Sequence, residues 1–157
     1  MQLKLDIDAL ESLPLKLMIV AVVACMSVIP AGQALEGLRD RDYVARAKLQ
    51  LETVISTAQT LMIDGPGGVR TVHLDFDHDG SQAFDRLMIG DERGGPNMSS
   101  IVLRLKGGAS IVRSATEPEV WMTGTPHGRV VVESPTCDLR LSAQIVDRTA
   151  FVLVELV

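Results

Sequence analysis

Aromatic side chains are scarce in this chain, with one Trp, one Tyr and three Phe among 157 residues. So few flat rings leave base-stacking platforms and aromatic ligand cages poorly supplied, and the core must be built from aliphatic side chains. Cysteine is nearly absent. Cys25 lies in an apolar stretch and Cys137 far downstream, with no CxxC pair, so no disulfide framework holds the fold. There is no basic tract either. A formal net charge of −5 and a pI near 5.1 argue against a surface that tracks phosphates, and nucleic acid is not an expected partner.

Recognisable catalytic patterns are missing as well. The three histidines, His73, His78 and His127, show neither HxxxH nor HExxH spacing. The glycine-rich stretches Gly65-Pro66-Gly67-Gly68 and Gly94-Gly95-Pro96 are not followed by Lys-Ser/Thr or by a helix that would hold a phosphate. Ser110, Ser114 and Ser134 lack a nucleophile-elbow context. The chain does not read as an enzyme, and no cofactor is expected beyond a possible weak calcium ion.

The N-terminal region, by contrast, carries a strong apolar signal. From Leu17 to Ala31 there is no charged residue, a run of about fifteen. Lys16 can lay its stem along a helix and extend the usable stretch to about nineteen residues, or roughly 28 Å at 1.5 Å rise, barely enough to cross a bilayer. The spacing predicts a hydrophobic transmembrane or filament-core segment over 1–34. Gly32-Gln33-Ala34 supplies a small-x-small pattern that suits a cleaved export signal, but Asp6, Asp8 and Glu11 outnumber Lys4 ahead of the run, opposite to the usual basic start. Ala21, Cys25, Ser27 and Ala31 place small residues at spacings that let another helix approach closely. Glu11 and Lys16 offer opposite charges that adjacent copies could match in a low-dielectric core.

An amphipathic pattern follows over 35–64. Leu35, Leu38, Val44, Ala47, Leu51, Val54, Ile55, Ala58, Leu61 and Met62 recur at three- and four-residue steps, and Asp64-Gly65-Pro66-Gly67-Gly68 ends the helix. From 69 to 157 the grammar changes to short β-branched runs separated by turn residues. Strands are expected over Val69–Phe76, Phe84–Ile89, Ser100–Leu105, Ala109–Arg113, Val120–Thr123, Arg129–Glu133, Asp138–Val146 and Ala150–Val157. Gly107-Gly108 and Asp147-Arg148-Thr149 read as hairpin connections. The expected fold class is α+β: a long N-terminal helix, made of a hydrophobic anchor plus an amphipathic continuation, followed by a β-rich, sandwich-like domain.

Two local motifs carry chemistry. Asp75, Asp77 and Asp79 in Asp75-Phe76-Asp77-His78-Asp79-Gly80 have the D-x-D-x-D-G form of a calcium loop, yet Arg86 stands where the bidentate twelfth ligand belongs. Asn97-Met98-Ser99 is an N-glycosylation acceptor triplet and holds the only Asn of the chain.

The stretch LDIDALESLPLKLMIVAVVACMSVIPA, its amphipathic continuation and the β-rich remainder together resemble the archaeal type IV pilin and archaellin superfamily. The resemblance covers the whole chain as architecture. It implies an apolar helix that holds the subunit in the membrane and then packs in a filament core, a β domain facing outward, and a homopolymer at the cell surface. It also implies that Glu11 neutralises a neighbouring subunit's N-terminal amine. The alternatives are a single-pass membrane-anchored accessory protein with an extracellular β-sandwich, or a secreted binding domain with a cleaved signal.

Overall fold

The computed structural model describes the backbone over residues 7–80, 82–124 and 128–157; within the helix, side chains are described over 16–25 and from 34 onward. Helix α1 is assigned over Ile7–Asp64. The chain divides into two compact units, Met1–Arg39 and Asp40–Val157. In the first, every described side chain, over 16–25 and 34–39, is exposed.

The second unit combines the end of α1 with eight strands: β1 (Val69–Asp75), β2 (Phe84–Ile89), β3 (Ser100–Leu105), β4 (Ser110–Ser114), β5 (Met122–Gly124), β6 (Val130–Val132), β7 (Thr136–Val146) and β8 (Thr149–Leu156). From Asp40 to Asp64 the helix contains no Gly or Pro. It stops where the N–H of Gly65, at φ +93°, bonds back to the Leu61 carbonyl at 3.1 Å, a left-handed cap that glycine adopts without a Cβ penalty. Tyr43, Ala47, Leu51, Val54, Ala58 and Leu61 form the buried face, a three-and-four spacing that lays one stripe of the helix against the strands.

The strands form two four-stranded sheets, ordered β1-β7-β8-β5 and β4-β3-β2-β6. Strand β7 shows why: Cys137, Leu139, Leu141 and Ala143 alternate inward while Asp138 and Arg140 face water. All pairings are antiparallel except β5 with β8. On one side the sheets meet where Gly124 of β5 bridges to Gly128, two residues ahead of β6. On the other, α1 bonds to both sheets. Gln50 reaches Asp75 at the end of β1, and Glu52 pairs with Arg113 of β4 at 3.3 Å. The helix therefore closes the gap between edge strands β1 and β4, and its stripe shares one apolar cluster with both sheets.

The expected fold class needs correction at its N-terminal part. Helical residues whose side chains are described fall in a ten-residue stretch, 16–25, and a 31-residue stretch, 34–64. Among the described residues no helix is long and apolar enough to cross a membrane. The stretch 34–64 alternates apolar residues with Arg39, Arg41, Arg46 and Lys48. Among the described residues, no spanning helix supports the membrane-anchored stage expected from the sequence. The amphipathic stripe also starts later than expected. Leu35 and Leu38 are 59% and 60% exposed, and burial begins at Tyr43, which the apolar pattern had passed over.

Candidate assembly surface

The stretch 16–25 is helical and presents its side chains to solvent all the way round. Leu17, Met18, Ile19, Val20 and Val22 are each more than half exposed. Successive helical residues turn by about 100°, so the four from Leu17 to Val20 alone sweep roughly 300° of the circumference. An apolar surface of this kind costs free energy in water until something covers it, and a single stripe of contact cannot cover it. Lys16, Ala21 and Cys25 stand on the same exposed stretch, and Cys25 is a free thiol. The side chains of Glu11, Ser27 and Ala31 lie outside the described residues.

The three aspartates are placed differently from a metal cradle. The Asp75 Oδ1 accepts the backbone N–H of Asp77 at 3.0 Å and the Thr136 hydroxyl at 3.4 Å, so this carboxylate shapes the turn. The Gln50 amide bonds the Asp75 backbone from both ends, donating to its carbonyl at 2.6 Å and accepting its N–H at 2.9 Å, as a strand partner would. Asp77 and Asp79 are exposed. Among the described residues no group of three or more His, Cys, Asp or Glu is placed to hold a metal ion.

What the loop does instead is grip the helix. The His78 ring stacks on Tyr43 with centroids 4.4 Å apart and 8° between planes, and its Nε2 lies 3.1 Å from Asp40 Oδ1. The Tyr43 hydroxyl donates to the Phe76 carbonyl at 3.3 Å. Burial pushes the Tyr43 phenol up to about 12. The four-residue step from Tyr43 to Ala47 and Leu51 was a signal for the tyrosine. No sequence pattern joins Asp40 to His78 across 38 residues. His73 pairs with Asp138 at 2.8 Å on the solvent side of β1 and β7, and His127 lies outside the described residues.

Asn97 is exposed in the loop between β2 and β3, where its Nδ2 donates to Asp91 at 3.3 Å. Burial lifts the Asp91 carboxyl, but the Glu92 N–H, the Arg129 guanidinium and the Asn97 amide together hold it below the ordinary carboxylate range. Compared with protein-family models, curated proteins and solved structures, the chain matches none.

Proposed function

We propose that the protein is a structural subunit of an extracellular filament of the type IV pilus or archaellum kind, a homopolymer assembled through its N-terminal apolar helical stretch. The observation that carries this reading is the exposure of Leu17, Met18, Ile19, Val20 and Val22 in every direction around one helix. A dimer partner would cover one stripe and leave the rest wet, whereas a core of several parallel copies covers the whole circumference. Ala21 and Cys25 allow such neighbours to approach closely. The unit Asp40–Val157 has its own apolar core and needs no partner to bury it, which suits a domain displayed on a filament surface. Catalysis has no part in this function.

Sedimentation and negative-stain imaging of the full-length chain test the proposal. Long polymers are expected, and Ala21→Leu, which adds bulk where copies would touch, should leave only small species. A full-length chain that stays monomeric or dimeric at every concentration would remove the filament reading.

A further inference from the structure

A cleft of about 460 Å³ opens at the end of the β unit, a size that suits a small organic ligand. Three separate segments build it. The loop between β2 and β3 contributes Arg93 and the Gly94-Gly95 turn, the segment ahead of β5 contributes Glu119 and Trp121, and the β7–β8 hairpin contributes Asp147 from its turn and Phe151 from β8. This lies at the C-terminal end of α1, since Gln59 bonds the carbonyls of Glu117 and Pro118 next door. Nothing in the filament proposal uses this cleft, and the inference drawn from it does not depend on that proposal.

The lining groups restrict what can bind. Trp121, the only tryptophan, is 38% exposed and is held by a hydrogen bond from its indole N–H to Glu119 at 3.1 Å. A large ring fixed in place at a cleft wall is a preformed apolar platform. Around it stand the Glu119 and Asp147 carboxylates and the Arg93 guanidinium, and Arg148 borders the adjoining recess that Glu119 and Trp121 also line. The guanidinium of Arg93 is engaged with Asp147 at 3.0 Å and with the Val146 carbonyl at 3.0 Å, so its own charge is already compensated. Arg93 also lies over the Phe151 ring, 5.8 Å from its centroid, which leaves Trp121 as the open ring of the cleft. Charged groups beside the platform disfavour a lipid tail. A ligand that uses both the ring and the polar groups around it has one apolar face and a rim of groups that both donate and accept hydrogen bonds. A sugar ring has this pattern, with C–H groups on its face and hydroxyls at its edge. Carboxylates accept from hydroxyls, and guanidinium N–H groups donate to them.

We propose that this cleft is a saccharide-binding site that takes a pyranose ring of a neutral glycan, with Trp121 as its stacking face and Glu119, Arg93 and Asp147 as partners for its hydroxyls.

A single tryptophan makes the test direct, because its emission reports this cleft alone. The full-length chain is titrated with methyl glycosides of glucose, galactose, mannose and N-acetylglucosamine and with their β-linked disaccharides. Tetramethylammonium and inorganic phosphate serve as comparison ligands. At least one saccharide should give a saturable emission change with a dissociation constant on the order of 1 mM or tighter, as fits a ligand of one or two rings. Glu119→Gln and Asp147→Asn, which preserve shape, should each weaken binding by about tenfold. Calorimetry on Trp121→Ala should detect no binding while circular dichroism matches the parent; if that variant fails to fold, the two shape-preserving variants decide. The proposal is overturned if no saccharide saturates by about 50 mM, well above the millimolar range of such weak ligands. It is equally overturned if only tetramethylammonium or phosphate binds, or if saccharide binding is unchanged in both shape-preserving variants.

Discussion

Tyr43 is the only tyrosine of the chain, so its ionisation can be followed by phenolate absorbance without interference. Burial favours the neutral phenol and moves its pKa from 10.0 to about 12. In the unfolded chain the phenol ionises near 10, so its contribution to stability is complete below that pH and is lost as pH rises towards 12. The absorbance midpoint should stand well above 10 in the native protein and return to the ordinary value in urea. Tyr43→Phe should flatten the alkaline limb of the stability curve and cost about 1 kcal/mol at neutral pH through the lost bond to Phe76. Asp91 has the opposite sign. Its pKa is lowered from 3.8, so its contribution is present above that pH and is lost as pH falls through the folded value. Acid titration of stability should show a shallower fall in Asp91→Asn than in the parent.

The strand connections contain two backbone positions whose substitutions should act in opposite directions. Gly90, which follows β2, has φ +64°, and a Cβ there would run into the Met122 carbonyl. Its own N–H bonds the Ser100 carbonyl at 3.0 Å, so the loop cannot easily move aside. Gly90→Ala should therefore cost about 3 kcal/mol or more in urea unfolding. The β7–β8 turn is the mirror case. Asp147 and Arg148 stand at φ 53° and 66°, and Val146 pairs with Thr149, which makes a two-residue hairpin turn of the kind that favours Gly at its second position. Arg148→Gly should raise stability by about 0.5–1 kcal/mol, read as a higher denaturation midpoint with an unchanged slope. The sequence marked this connection as three residues long; pairing places Thr149 in the strand.

At the scale of the whole molecule, the proposed assembly role and the folding of the β unit fall on different residues of α1, and the two can be tested apart. Val54 is fully buried in the cluster shared by α1 and both sheets, whereas Val20 is 64% exposed. Val54→Asp leaves a charge in an apolar interface and should cost several kcal/mol, lowering the melting temperature of the β unit. Val20→Asp should leave that melting temperature within about 2 °C of the parent, since Val20 is exposed and the β unit's apolar cluster does not include it, and under the filament proposal it should abolish polymer formation. Calorimetry paired with sedimentation separates the two effects. If Val20→Asp lowered the melting temperature as much as Val54→Asp, the two roles would not be separable and the assembly surface would have to be sought elsewhere.

Local pattern by itself determined where the strands run. Phe84–Ile89 and Ser100–Leu105 match to the residue, and the stop at Asp64-Gly65-Pro66 ends the helix as read, because side-chain period, β-branching and glycine caps act within a few residues. Only the tertiary structure decided the pairings. Joining β1 to β7 and setting β5 parallel to β8 bring together residues far apart in sequence, and such choices depend on which combination buries the most apolar surface. It also decided where the apolar stripe becomes a core. Leu35 and Leu38 share the spacing of Leu51 and Leu61, but burial requires strands alongside as well as periodicity. For the same reason a calcium-like aspartate motif became a turn gripping α1 through His78 and Tyr43. The saccharide cleft gathers Arg93, Glu119, Trp121 and Asp147 from three connections whose proximity no sequence spacing encodes.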